Sequence, residues 1–359
     1  MADRMPLAVT APRTALVAGA TGVVGRYLLQ HLVETGTWNV IGVSRRRPGL
    51  AGDFRHIAVD LLDPADCRAQ LGVLHGVTHV FHCAFVQVAD TGEHIARNTA
   101  MFTNLVSAIE TAAPSLQHVH LVEGTKWYGS HLGPFVTPAR EHHPRHAGAN
   151  FYFDQQDWLE ARQHGKAWTW SAVRPHAVCG FSVGSPMNLA LALGVYGTLC
   201  RELGLPFSHP GPAANFSALY QLTDSALLAR AIEWMAVTPQ AANQAFNITN
   251  GDLIRWENLW PRLAGFFGVS PAEQRRSSLR EALGGKAADW DRIVATHGLQ
   301  PHSYGDVAGW GFADFVFGST WDIISDTGKA RRAGFCETVD SEQMLLDLRT
   351  GLRRARVIP

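Results

Sequence analysis

Lysine is scarce in this chain: only four of the 31 cationic side chains are lysines, at positions 126, 166, 286 and 329. A lysine one helical turn after a tyrosine lowers the phenol pKa and orients a bound ribose, which suits hydride-transfer chemistry. None of the six tyrosines (27, 128, 152, 196, 220 and 304) has Lys at the fourth position on, and after Tyr152 that position holds Gln156. Either there is no redox chemistry here, or the lysine comes from another segment. Lys126 is the candidate. It lies in Glu123-Gly124-Thr125-Lys126-Trp127-Tyr128-Gly129, directly after the apolar run Val119–Val122. Loops that follow the carboxyl ends of parallel strands line the ligand crevice, so Lys126 is expected there. Asn150-Phe151-Tyr152-Phe153 precedes a helical pattern that brings Tyr152 over the same crevice.

A second chemical feature is the glycine turn Gly19-Ala-Thr21-Gly22-Val23-Val24-Gly25. It follows the apolar run Thr14–Ala18 and opens a helical pattern at Val23–Val33. Glycines permit the tight turn, and free N–H groups at a helix N-terminus favour a pyrophosphate. With a strand before and a helix after, the turn reads as a dinucleotide site. The next strand, Asn39–Val43, ends in Ser44-Arg45-Arg46-Arg47 with no acid. An acid there would hold a ribose diol, whereas serine and arginine suit a 2′-phosphate, so NADPH/NADP+ is the expected cofactor. A solvated basic turn is the alternative. Asp60 and Leu61, ending the strand His56–Asp60, are placed for the adenine edge. Ala84 and Phe85 would border the adenosine ribose, and backbone groups of Pro175, His176 and Val178 would hold the nicotinamide carboxamide. His118 and His120 alternate on one strand, and His142, His143 and His146 cluster around Pro144. Pro144 breaks helical spacing and only Glu141 adds a carboxylate, so a polar loop is expected and no metal site.

The elements that must position these residues alternate. Further strands fall at Thr78–Cys83, Val119–Val122 and Trp170–Val173. Helical stretches fall near Pro64–Leu71, Glu93–Thr111 and Gln155–Gln163. That alternation predicts an α/β doubly wound parallel sheet. After Pro175 the pattern loosens: residues 181–212 are rich in Gly and Pro, with helical stretches at Trp256–Gly268 and Ala287–Val294. Nine of the eleven tryptophans lie beyond residue 150, either as core anchors or as the wall of an apolar pocket. Residues 13–185 are expected to form the nucleotide-binding domain, with 213–250 returning to it. Residues 186–212 and 252–345 would form a smaller cap, and 1–12 a loose tail.

Composition narrows the function class. The 359 residues suit about two domains. Lys+Arg and Asp+Glu balance at 31 each, which argues against nucleic-acid or anionic-membrane binding. Five unpaired-looking cysteines, no secretion-type leader and no apolar run long enough for a span predict a soluble cytoplasmic protein.

The segments GATGVVG, VSRRRP, GTKWYGSHLGPF, NFYF with QDWL, and RPHAVCGFSVGSPMN together resemble the progesterone 5β-reductase/iridoid synthase-like group. These are atypical extended short-chain dehydrogenase/reductases. The resemblance runs from about Thr14 to the C-terminus. It implies a Rossmann-type sheet with a smaller, mainly helical substrate-binding domain, and NADPH-dependent reduction of the activated C=C bond of an apolar enone or enal. In the group, the motifs that match here at Lys126 and Tyr152 carry the catalytic lysine and tyrosine. By that likeness Tyr152 would stabilise the enolate, with Lys126 orienting the ribose. Tyr128, Phe151, Met187 and Phe216 are the implied pocket walls, and Asn98 resembles a structural asparagine of related folds, a helix-surface amide being the other reading. The departures are four residues (Gly129–Leu132) before Gly133-Pro134-Phe135, Trp127 for His, Glu123 for Thr, Phe153 for Tyr and Gln156 for Glu. Carbonyl reduction and a non-catalytic NADPH sensor stay open beside ene-reduction. A sugar-nucleotide epimerase shares the extended fold but needs the missing Tyr-x-x-x-Lys pair. The expected partner is a small α,β-unsaturated carbonyl compound, without nucleic acid or membrane, and a homodimer is kept open.

Overall fold

The computed structural model describes residues 13–185 and 187–359. The expected tail 1–12, and Pro186 at the start of the expected cap, lie outside the described residues. The described residues form nine strands: β1 Arg13–Ala18, β2 Trp38–Val43, β3 Arg55–Ile57, β4 His79–His82, β5 His118–Val122, β6 Thr169–Arg174, β7 Val178–Cys179, β8 Thr223–Asp224 and β9 Gln244–Asn247. Seven pair in the order β3-β2-β1-β4-β5-β6-β9, and every pairing is parallel. β7 and β8 form a separate parallel pair. The strand order reverses between β1 and β4, and at such a switch point the carboxyl ends leave a crevice.

The first helices are α1 Val23–Thr35, α2 Pro64–Leu71, α3 Thr91–Ala112 and α4 Phe151–Gln163. They are followed by α5 Leu189–Leu203, α6 Ala213–Ser217, α7 Ser225–Val237, α8 Trp256–Phe267, α9 Leu279–Leu283 and α10 Ala287–His297. The chain closes with α11 Tyr304–Val307, α12 Trp310–Gly318, α13 Gly328–Arg332 and α14 Ser341–Arg354. Strand side chains alternate between two cores. Leu16 and Ala18 face a layer with Phe102, Leu105 and Leu159 from α3 and α4. Ala15 and Val17 face Leu28, Leu29 and Leu32 of α1 with Leu227, Leu228 and Ile232 of α7. A sheet buried on both faces explains why its strands read as continuous apolar runs rather than alternating ones.

A third core gathers α5, α8 and the C-terminal helices. It absorbs the tryptophans: Trp256, Trp260, Trp290 and Trp310 are fully buried there, so for these four the pocket-wall reading gives way to packing. The Gly- and Pro-rich stretch 181–212 contains the buried helix α5, and Gly197 is where the Phe267 ring packs against it. No described helix is long and apolar enough to cross a membrane. All five cysteines are free.

Three boundaries move in ways that matter to the site. β3 ends at Ile57, so Asp60 is not a strand end. It sits in the following turn, where its Oδ1 accepts from Leu62 N–H at 3.0 Å. Helix α4 begins at Phe151, not near Gln155, because Asn150 caps it by accepting from Tyr152 N–H at 3.1 Å. Tyr152 therefore belongs to the first turn of α4. Asn98 is fully buried and bonds both backbone groups of Val86, so it is no surface amide.

Candidate active site

At the end of β1 the glycine turn folds close on itself. Gly22 is the N-cap of α1 and offers no side chain, so the first N–H groups of the helix stay free for an anion. Gly19 has φ of 82° and stands where a Cβ would lie 2.6 Å from Ala84 N. A Cβ on Gly25 would come within 2.3 Å of Gly19 O. Val23 packs inward, Val24 is partly buried, and Thr21 is exposed with its carbonyl held by Ser182 Oγ at 3.2 Å. The residues present therefore form the backbone cradle a dinucleotide needs: close approach is possible only without side chains.

The basic turn projects from the carboxyl end of β2. Ser44 Oγ donates to Arg46 O at 2.7 Å, which shapes the turn, and Arg45 and Arg46 are exposed. Leu61 is buried, and its carbonyl accepts from Asn104 at 3.0 Å. Ala84 abuts Gly19 after β4, and Phe85 packs on His94 and Phe151 at ring-centroid distances of 5.5 Å and 6.1 Å.

Lys126 lies on a single 3-10 turn, Thr125–Tyr128, immediately after β5. Burial pushes its ammonium pKa down, and Nζ lies 5.0 Å from the Phe315 ring of α12. Asn150 ties this turn to α4. Its Nδ2 donates to Lys126 O at 3.2 Å while its Oδ1 caps Tyr152. The Tyr152 hydroxyl reaches the same turn: a Cβ added to Gly124 would lie 3.3 Å from it. Burial, then the nearby Glu123 carboxylate, pushes the phenol pKa up, so the hydroxyl stays protonated and can donate.

His176 sits under the turn. Its Nδ1 shares a hydrogen with Thr125 Oγ1 at 2.6 Å, and burial pushes its pKa down to about 3. Its backbone N–H donates to Thr223 Oγ1 and its carbonyl accepts from that hydroxyl, so the backbone of His176 is engaged within the protein. Pro175 O accepts from Thr125 N–H, and Val178 pairs with Thr223 in the β7–β8 pair.

The expected pocket walls divide. Phe151 packs on the Tyr152 ring at 4.4 Å between centroids. Tyr128 instead faces the protein: its hydroxyl donates to Asn247 at 2.7 Å and accepts from Arg174 at 3.2 Å. Met187 is half-buried, and Phe216 is half-buried against His209 at 4.8 Å. Exposed apolar side chains stand near the Lys126 turn: Leu132 and Val136 follow it in the chain, and Phe315 is the ring beside its ammonium. A cavity of about 570 Å³ opens elsewhere, lined by Tyr27, Phe181, Asp224 and α14, and neither Lys126 nor Tyr152 borders it.

Sequence reasoning passed over Asn150, Arg174 and Phe315. Asn before a helical run is a cap signal that could have been read. A buried arginine ending an apolar strand, and a ring brought in from a distant helix, carry no such local mark. The histidines on β5 are fully buried, sharing Ser171 Oγ between His118 Nε2 and His120 Nδ1 at 2.8 Å each.

The PRISE-like Rossmann-fold domain matches residues 58–333. Among curated relatives, a short chain dehydrogenase of Penicillium aethiopicum, gsfE, is 33% identical, covering 97% of this chain and 100% of its own. The 3-oxo-Delta(4,5)-steroid 5-beta-reductase of Arabidopsis thaliana is 34% identical, over 96% of this chain and 93% of its own. The (S)-8-oxocitronellyl enol synthase ISY1 of Nepeta racemosa is 33% identical with the same coverage, 96% and 93%. Of solved structures, UDP-glucose 4-epimerase from Thermotoga maritima superposes with a TM-score of 0.67 at 17% identity, covering 95% of this chain and 99% of that one. That likeness is one of fold.

Proposed function

The chain belongs to the PRISE-like Rossmann-fold family, and from that membership we propose that it reduces the activated C=C bond of an apolar enone or enal with NADPH. It is an oxidoreductase of the short-chain dehydrogenase/reductase superfamily. The observation that carries the finer reading is Asn150, which bonds the Lys126 turn and the Tyr152 helix at once. The turn that carries the cation and the helix that carries the protonated phenol are thereby tied together.

Bound NADPH would supply the hydride for the β-carbon. The protein's part is to hold and to polarise. The Tyr152 hydroxyl donates to the carbonyl oxygen, where negative charge develops as the β-carbon is reduced. Lys126 orients the ribose and adds positive charge near that oxygen. Because burial and Glu123 keep the phenol protonated, Tyr152 enters the reaction as a donor, and water can protonate the α-carbon afterwards. Ser44, Arg45 and Arg46 suit a 2′-phosphate, and the side-chain-free N-terminus of α1 suits the pyrophosphate. The apolar residues near the turn, Leu132, Val136 and Phe315, suit an uncharged substrate.

The test is NADPH oxidation with a panel of cyclic and open-chain enones and enals, with products identified. Saturated ketone or aldehyde is expected, and Tyr152→Phe and Lys126→Ala should lose most of the turnover while still binding NADP+. An allylic alcohol as product would replace this reading with carbonyl reduction. Background oxidation across the panel would favour a sensor. Wild-type rates in both variants would remove Tyr152 and Lys126 from the chemistry.

A further inference from the structure

Beneath the Lys126 turn lies a buried ion pair, of which the reaction above uses only the charge of Glu123. Arg174, the last residue of β6, is 1% exposed, and Glu123, the first after β5, is 3% exposed. Arg174 Nε donates to Glu123 Oε2 at 2.7 Å, and its Nη2 donates to Gln156 Oε1 at 3.0 Å. Its Nη1 reaches the Tyr128 hydroxyl at 3.2 Å, and the guanidinium lies over the Trp127 ring at 3.6 Å from the centroid. Glu123 Oε1 is buried without a hydrogen-bond partner.

These partners come from both segments that carry the chemistry. Glu123, Trp127 and Tyr128 flank Lys126, while Gln156 stands one helical turn after Tyr152 on the same face of α4. Resting on the reading of Lys126 and Tyr152 above, we propose that Arg174, with Glu123 as counter-ion, is a positioning residue that locks the Lys126 turn to the Tyr152 helix. A lone 3-10 turn is too short to fix its own orientation. A planar guanidinium with donors in a rigid fork, stacked on an indole, can fix it. The cation that meets the fourth position after Tyr152 thus arrives from β6 rather than from α4 itself.

The pair also responds to pH near neutrality. Burial pushes the Glu123 carboxyl up to about 7, against the pull of Arg174. The charged and titratable groups around the pair are Arg145 before α4, Glu160 and Tyr152 on α4, Tyr128 on the turn, bonded to Arg174, Glu141 after that turn and Lys329 on α13. Arg145 is already paired with Asp157. Ionised Glu123 holds Arg174 by a charge-assisted bond, and protonation weakens that hold. Turnover therefore falls as pH drops through about 7.

Glu123→Gln and Gln156→Leu, assayed as holoenzymes with NADPH and 2-cyclohexen-1-one, test this. The expected result is kcat lower by ~10- to 100-fold, because a misplaced group costs rate, with NADP+ affinity by calorimetry within about two-fold of wild type. Glu123→Gln should also lose the step near pH 7. A readout independent of turnover is the Cζ resonance of Tyr152 in protein labelled with [ζ-13C]tyrosine, assigned among six tyrosines through Tyr152→Phe. At neutral pH its chemical shift should move in both Glu123→Gln and Gln156→Leu. Unchanged kcat, pH profile and Tyr152 shift would reduce Arg174 to a structural residue. If Glu123→Gln does not fold, Gln156→Leu, which removes one hydrogen bond to Arg174, decides through kcat alone. Should Tyr152→Phe and Lys126→Ala also keep wild-type rates, it is the proposed function that fails. If those two are inactive while Glu123→Gln and Gln156→Leu are normal, only the positioning role fails.

Discussion

Mild acid should unfold this protein, and the cause is countable. His79, His82, His118, His120, His176 and His209 are each at most 8% exposed. Burial holds every one of them neutral: His79 down to about 4, His82, His120, His176 and His209 down to about 3, and His118 well below its ordinary value. A group whose folded pKa is depressed lends stability above its unfolded pKa, near 6.5, and that stability drains as pH falls towards the folded value. At pH 5.5 the unfolded imidazole is about ten to one protonated while the folded one is not, which costs about 1.4 kcal/mol per histidine. Six such residues cost about 8 kcal/mol if they add. Glu123 works in the opposite direction. Its raised pKa makes its contribution grow on acidification, by about 2 kcal/mol between pH 8 and 5.5. The net loss of about 6 kcal/mol matches the lower end of total domain stability, about 5–15 kcal/mol. Urea unfolding followed by circular dichroism, in steps from pH 8 to 5.5, reads this directly: the midpoint should fall steeply below pH 6.5. His82 has neither ring nitrogen bonded and packs edge-on against Phe102 at 5.1 Å, so His82→Leu should lose about 1.4 kcal/mol less over the same window. A midpoint that stays level to pH 5.5 in wild type would refute the reasoning, because it would mean the imidazoles accept protons inside the fold.

Other expectations concern single positions. Gly25→Ala places a methyl 2.3 Å from Gly19 O, so NADP+ affinity measured by calorimetry should fall by roughly 100-fold or more, about 3 kcal/mol. Unchanged affinity would mean the turn does not hold the pyrophosphate. Ser44→Asp restores an acid at the end of β2 and should turn the kcat/KM ratio of NADPH over NADH down by at least about ten-fold; an unaltered ratio would take the basic turn out of cofactor choice. Arg349 on α14 is fully buried, none of its three guanidinium nitrogens has a hydrogen-bond partner among the described residues, and burial pushes its pKa down to about 9. Arg349→Met should therefore raise stability by about 1–4 kcal/mol in the same urea assay, and a loss would show that the guanidinium is held by a group it does need.

The parallel sheet was legible because its strands are buried on both faces, with β1 ending at the glycine turn and β2 at the basic turn. The switch point follows from the strand order, and the structure puts Lys126 on the turn after β5 and Tyr152 in the first turn of α4. Beyond Pro175 legibility fell for a physical reason. Helix α5 carries Gly194 and Gly197 because Leu352, Ile358 and Phe267 press against them, so local propensity argues against a helix that tertiary packing supports. The tryptophans stayed undecided along the chain, since composition cannot tell an anchor from a pocket wall. Asp60 was placed on a strand because it closes the apolar run Ile57–Val59, yet only Arg55–Ile57 finds a partner, on β2.

Two of the departures from the family pattern meet in space. Glu123 and Gln156 stand on different elements, and both bond to Arg174. Read along the chain they are unrelated: one puts a carboxylate at the end of β5, the other leaves an amide on α4. Read in the fold they are two halves of one environment, which holds one buried guanidinium and one carboxylate. An uncompensated buried charge is far more costly than a paired one, so a carboxylate beside Arg174 can sit on either element, while its absence from both would be strongly destabilising. The choice of element still matters. A carboxylate on α4 would pull Arg174 towards the helix that carries Tyr152, whereas Glu123 pulls it towards the turn that carries Lys126 and leaves only a neutral hydrogen bond to α4. A tyrosine and lysine on one helix are spaced by helix geometry alone. Here the spacing is a property of packing between two elements, and under the function proposed above the layer beneath them becomes part of what would set the reaction.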